Sequence, residues 1–195
     1  MSKIMSLAAS DPDKGLLLET LLLTPCLLPS KTRFDESNAS VWIKPQADET
    51  ILFFSIDDQS NSECQLRQLL WGNKAGENIC DLIVFYAKGN ERVFCFVELK
   101  DNLQEEDLNQ AIKQVTNTYT HFKRHLRLNH RYTAKAFISS PKSSKRHQKY
   151  QQALLNVFKE PSNIECNGRA EDFGDFLRGV SPLNKGKRKG KKRKK

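Results

Sequence analysis

At 195 residues with 38% hydrophobic content, the chain holds enough apolar material for one core of ordinary size and one main domain. Its net charge of +9 does not describe the body: the last twelve residues, NKGKRKGKKRKK, hold nine Lys or Arg and no acid, while residues 1–183 balance at 23 basic and 23 acidic groups. A polycation throughout is therefore excluded, and the longest leucine-rich run, GLLLETLLLTPCLLP from Gly15 to Pro29, is broken by Glu19 and Pro25 and too short to span a bilayer.

Ser10-Asp11-Pro12 is a good helix start, and a leucine-rich helix is expected from Pro12 to about Leu23, stopped by Pro25. The opening lacks the basic segment and uninterrupted apolar run of a secretory signal. Residues 30–40 read as polar loop. Val41 to Lys44 and Ile51 to Asp57 read as strands around Pro45-Gln46-Ala47-Asp48, and Glu63 to Leu70 as a short helix ending near Gly72. Five scattered cysteines, Cys26, Cys64, Cys80, Cys95 and Cys166, form no close pair. That pattern favours a reducing cytoplasm and argues against a zinc site.

Residues 79–100, ICDLIVFYAKGNERVFCFVELK, set Gly89-Asn90 between two runs rich in Val, Ile, Phe and Tyr, a strong hairpin signal. If Lys88 and Glu91 close the turn, facing residue numbers sum to a constant and Asp81 lies opposite Glu98, with β-carbons roughly 5 Å apart. Alternation puts Glu98 and Lys100 on one face and Leu99 on the other. Apposed carboxylates repel unless a cation bridges them. Hard oxygen ligands suit magnesium or manganese, and the Lys100 ammonium could hold a water or phosphate oxygen beside such a metal. That set of groups fits metal-assisted phosphodiester hydrolysis, in which the metal polarises the phosphate, activates water and steadies the leaving oxygen.

The following helix is the clearest element. Leu108, Ile112, Val115, Tyr119, Phe122 and Leu126 keep one apolar stripe, and Asn102 with Glu105 forms a capping-box pattern that starts the helix two residues after Lys100. Acids crowd its first turn and His121, Lys123, Arg124, His125 and Arg127 its last turns, as the helix dipole favours. A strand Ala134 to Ile138 and a helix Lys145 to Phe158 follow.

An apolar strand with Asp81, a hairpin, a strand ending Glu98-Leu99-Lys100 and a long helix together resemble the core of the PD-(D/E)xK nucleases, the restriction-endonuclease-like superfamily, over roughly residues 62–140. The resemblance implies an α/β fold with an αβββαβ core, a central mixed sheet flanked by helices. It implies Asp81 and Glu98 as metal ligands, Lys100 as the catalytic lysine and the Leu99 carbonyl as a further ligand. Cys80 departs from the motif's proline, at a position that varies widely in the family. Many members add a glutamate on the first core helix, a role open to Glu19 or Glu63. A subset carries Gln and Tyr on the helix after the lysine, which Gln114 and Tyr119 approximate at five residues' separation instead of four, although core packing explains Tyr119 better. His121 and His125 have a metal-binding spacing but read as a solvated cationic helix end.

Nucleic acid, DNA in preference to RNA, is the implied substrate, and no membrane is expected. The segment PKSSKRHQKYQ, with Lys142, Lys145, Arg146 and Lys149, is a basic, hydroxyl-rich helix start where phosphates can be gripped. Residues 184–195 read as a disordered tail whose Lys187, Arg188, Lys189, Lys191, Lys192 and Arg193 tether polyanions without regard to sequence. Trp42 and Trp71 could stack on bases, although burial is the commoner state. The family's usual company implies prokaryotic defence, restriction or repair. A catalytically silent nucleic-acid-binding or scaffold protein is the alternative, and a protein partner or homo-oligomer stays open.

Overall fold

The computed structural model describes residues 22, 26–57, 78–102, 104–126, 132–141 and 148–180, with the side chains of 148–150 excepted. The elements in chain order are β1 (Leu27–Leu28), β2 (Arg33–Glu36), β3 (Ala39–Trp42), β4 (Glu49–Ser55), β5 (Leu82–Lys88), β6 (Glu91–Leu99), α1 (Glu105–His125), β7 (Thr133–Ser139), α2 (Gln148–Phe158), β8 (Ile164–Gly168) and α3 (Phe173–Leu177). Six strands form one mixed sheet in the order β1-β4-β5-β6-β7-β8. The pairings from β1 to β6 are antiparallel, and β6-β7 and β7-β8 are parallel. The change of sense follows from the connections: a two-residue turn can only join antiparallel neighbours, whereas parallel strands need the crossovers that carry α1 and α2.

The turn sets the register. Gly89, the first central residue, takes φ 53°, the left-handed conformation that a type II′ turn needs there. Lys88 pairs with Glu91, and the ladder runs to Leu82 opposite Val97. Asp81 and Glu98 are the next position along, as the sequence predicts.

β5 and β6 are buried on both faces, which is why they read as near-continuous apolar runs. On one face Phe54, Ile83, Phe85, Phe94 and Phe96 pack against Leu108, Ala111, Ile112, Val115 and Phe122 of α1 and Leu154 and Phe158 of α2. On the other, Phe53, Val84, Tyr86, Cys95, Val97 and Phe137 pack against Val41, Ile43, Phe173 and Leu177. Each fully buried large side chain contributes roughly 1.5–3 kcal/mol. The predicted α1 stripe is the stripe observed, all of it buried save the half-buried Tyr119, whose ring stacks on Phe158 at 4.9 Å.

Several expectations are corrected. Residues 30–40 are not loop: β2 and β3 pair as a separate two-stranded sheet closed by Glu36 opposite Ala39, and β3 therefore does not join the main sheet. Ser37 takes φ 52° in that turn, so a serine stands where glycine would have advertised a hairpin. The capping box does not form, because α1 begins at Glu105 with Gln104 at its N-cap and no side-chain capping bond. The acidic first turn and basic last turn are present. Trp42 is 38% exposed rather than buried. Cys26 is disulfide-bonded, contrary to a wholly reduced set, while Cys80, Cys95 and Cys166 are free and buried. β8 and α3 were not anticipated. The expected helices Pro12–Leu23 (but for Leu22, which is helical) and Glu63–Leu70 lie outside the described residues, as does the tail. Among the described residues no helix is long and apolar enough to cross a membrane.

Candidate active site

The site forms where the β5-β6 ladder stops and the chain turns into the α1 crossover. Glu98 and Lys100 share the α1 side of the sheet with Phe94 and Phe96, since side chains alternate along β6. Asp81 falls on the same side as Ile83 and Phe85. An incidental charged hairpin end would be solvated, yet the Glu98 side chain is 0% exposed.

Backbone and side chains lock the group together. The Leu99 N–H donates to Asp81 Oδ2 at 2.7 Å, and the Asp81 N–H to Glu98 Oε2 at 3.3 Å. Within a strand a residue's N–H and C=O point the same way, so the Leu99 carbonyl is directed towards Asp81 as well. The Lys100 ammonium, with its side chain 21% exposed, lies 2.7 Å from Glu98 Oε1 and donates to Gln114 Oε1 at 3.1 Å. Gln114 is itself anchored through its amide N–H to the Ile79 carbonyl at 2.9 Å. One turn further along α1, Thr118 Oγ1 accepts the Cys80 N–H at 2.9 Å. Two residues of α1 thus fix the approach of the chain to Asp81, and one of them holds the lysine.

Glu98 Oε1 is buried without a directed hydrogen bond. Its 2.7 Å contact with Lys100 is an ion pair by distance whose geometry leaves a lone pair unused, and both descriptions hold. Burial, and then the Asp81 charge, raise Glu98 to about 8 against the pull of Lys100. Asp81 is raised to about 6, mainly by burial, with Glu36 and Asp57 adding to the rise and the Leu99 N–H and Lys100 opposing it. Burial raises both carboxyls, and the Asp81 charge adds to the rise at Glu98, so the two titrate as a coupled pair. The Cys80 thiol is pushed well up by burial and by Glu98, which leaves it inert.

The structure therefore brings Asp81, Glu98, Leu99 and Lys100 together. Lys142, Lys145 and Arg146 lie outside the described residues, as do Glu19, Glu63, Trp71 and the tail residues Lys187, Arg188, Lys189, Lys191, Lys192 and Arg193. Lys149 belongs to α2, with its side chain outside the description. The sequence marks Gln114, with Tyr119, as an approximate match to the family's glutamine and tyrosine after the lysine, and its bond to Lys100 is what the structure adds. The signal for that bond was a glutamine flanking the apolar stripe, a polar side chain that α1 would have to bury. Glu36 and Asp57 also lie within electrostatic reach of Asp81, and no spacing announced them.

Among the described residues no three His, Cys, Asp or Glu side chains are grouped to hold a metal ion. The donor set on view is two carboxylates and a backbone carbonyl, all oxygen, which is the set magnesium and manganese accept with water completing the shell. No protein-family model, curated protein or solved structure matches the chain.

Proposed function

We propose that this chain is a metal-dependent nuclease of the PD-(D/E)xK, restriction-endonuclease-like superfamily, hydrolysing phosphodiester bonds of nucleic acid, with DNA the preferred substrate. The observation that carries the reading is Glu98, a fully buried carboxylate facing Asp81 whose Oε1 has only the Lys100 ammonium, at 2.7 Å and poorly aligned, beside it. Lys100 offsets one of the two negative charges, and a metal joining both acids would offset the other. The run β4, β5, β6, α1, β7 supports the assignment by its βββαβ order, and the helix expected before it falls outside the described residues.

Asp81, Glu98 and the Leu99 carbonyl would hold magnesium or manganese. Bound there, the metal supplies Lewis-acid polarisation of the phosphate and a water of lowered pKa. The remaining work belongs to the chain. The Leu99 N–H fixes one Asp81 oxygen and frees the other for a ligand. Gln114 holds Lys100 at the partly open edge, where its ammonium can neutralise a phosphate oxygen as charge develops. Apolar packing beneath, from Phe96 and Ile83, keeps water out of the rear of the site.

The test is incubation of the protein with plasmid, single-stranded DNA and RNA in magnesium, manganese or chelator. Cleavage in either metal and none in chelator is expected. Undiminished cleavage in chelator discards the metal site, and intact substrates throughout leave a silent nucleic-acid-binding fold.

A further inference from the structure

A cavity of about 740 Å3 opens at the C-terminal ends of β7 and β8, one strand over from the acidic pair, and Asn38, Ser139, Ser140, Asn167, Arg169 and Glu171 contribute to its walls. We propose that it receives one nucleoside unit, base and sugar, of the strand being cut. The proposal rests on the nuclease reading for its substrate.

Position comes first. Ser139 pairs with Leu99 across β6 and β7 and accepts the Lys100 N–H at 2.9 Å, so the cleft begins one strand spacing, roughly 5 Å, from the motif. The opposite wall is the β2-β3 turn. It is pinned there by Asp101, whose carboxylate accepts the Asn38 N–H at 2.8 Å, and Asp101 directly follows Lys100. Lys100 lies on the α1 side of the sheet and the cleft on the β3 side, so a strand crossing the sheet edge at Lys100 would carry its neighbouring nucleoside towards this opening. Crevices outside the carboxyl ends of such strands are where α/β folds take ligands, and the volume suits a nucleotide-sized group.

Chemistry selects the nucleoside over the phosphate. A phosphate grip needs surplus positive charge, and among the described lining residues there is none, since Arg169 is faced by Glu171 at 4.0 Å as an exposed pair. The rest of the described polar lining is two side-chain amides, Asn38 and Asn167, and three hydroxyls, Ser40, Ser139 and Ser140, groups that donate and accept and so match base edges and sugar hydroxyls. The Arg169 guanidinium, its side chain 79% exposed, offers a plane on which a base can stack. The floor is rigid. The Ser139 hydroxyl donates to the Gly168 carbonyl at 2.8 Å, and a β-carbon on Gly168 would meet the Phe137 ring, so β8 can close on β7 only because that residue is glycine.

The experiment reads binding, not cleavage. Fluorescence anisotropy in chelator compares a labelled single-stranded oligonucleotide with an abasic strand of equal length and identical backbone. The basic tail contributes equally to both, because phosphate contacts do not read bases. The native chain is expected to bind the abasic strand at least tenfold more weakly. In the double variant Asn167→Ala, Arg169→Ala the ratio should fall below threefold, and Asn38→Ala, on an exposed turn where misfolding is not a concern, should reduce it in the same direction. Equal affinity of the native chain for the two strands, no binding of either, or an undiminished ratio in both variants overturns the proposal. A nuclease failure is distinguished from these by intact substrates in metal alongside a base-dependent affinity in chelator.

Discussion

Replacing Glu98 with Gln removes a charge that the fold shields completely while preserving the side chain's shape. Moving a carboxyl from 4.5 to about 8 corresponds to roughly 5 kcal/mol of disfavoured ionisation. Because the folded state holds this proton more tightly than the unfolded chain, native stability is highest below pH 4.5. It falls by about 1.4 kcal/mol per pH unit as the pH rises towards 8. The amide has no proton to lose. Its carbonyl can still accept the Asp81 N–H, but its NH2 then faces the Lys100 ammonium, which offsets about 1–2 kcal/mol of the gain. The metal-free Glu98→Gln protein should therefore match the native chain within about 1–2 kcal/mol at pH 5 and exceed it by about 2–4 kcal/mol at pH 8.5. Urea unfolding in chelator at the two pH values measures this. A difference that does not change with pH, or a variant less stable at pH 8.5, refutes the claim that an ionised Glu98 is held against its own dehydration.

Lys100→Ala should lower cleavage at least a hundredfold, on the scale of losing a charge-stabilising donor, while circular dichroism still reports a folded chain; cleavage within tenfold of native removes the lysine from the site. Arg178→Ala should destabilise by about 3 kcal/mol, because Glu49, with its side chain 0% exposed, takes Arg178 Nε at 2.7 Å and Nη2 at 2.8 Å. The Arg178 bond is the main cause of its pKa falling to about 2, so that stability is full above pH 4.5 and lost as pH drops towards 2; a loss of unfolding free energy under about 1 kcal/mol at pH 7, read by urea unfolding, contradicts it. Deleting Asn184 to Lys195 should weaken nucleic-acid affinity and flatten its dependence on salt, read by anisotropy across a salt series, with saturating cleavage retained at low salt.

The hairpin was legible because its information is local: glycine at the turn and period-two burial fix which residues face each other, and Asp81 opposite Glu98 follows by counting. The α1 stripe was legible for the same reason. What escaped depended on residues far apart in sequence. Ser37 in a left-handed turn conformation hid the β2-β3 hairpin, so Val41 to Lys44 read as a strand without a partner and the turn that walls the site read as loop. Gln114 became a partner of Lys100 only once the α1 crossover brought it back over β6. The cleft draws on residues near positions 38, 139 and 168, whose meeting no single segment encodes. The basic loop 142–147 and the tail lie outside the described residues, and the proposal that they bind nucleic acid stands on charge alone.

The acidic pair is built from a two-residue turn, whereas the lid over it arrives with α1, and the two events belong to different moments of folding. Hairpins close in about 1–10 μs, and at that stage Asp81 and Glu98 are still hydrated, so their repulsion is screened and the register forms unopposed. If α1 docks after the hairpin closes, water leaves Glu98 at that later step and the conflict at the site acts on how long the native state survives. In chevron measurements at pH 8.5 in chelator, Glu98→Gln should slow unfolding and leave the refolding arm nearly unchanged; an equal acceleration of refolding would place α1 over Glu98 before the barrier. A cation held by both acids, as proposed above, would relieve that conflict and lengthen the life of the native state.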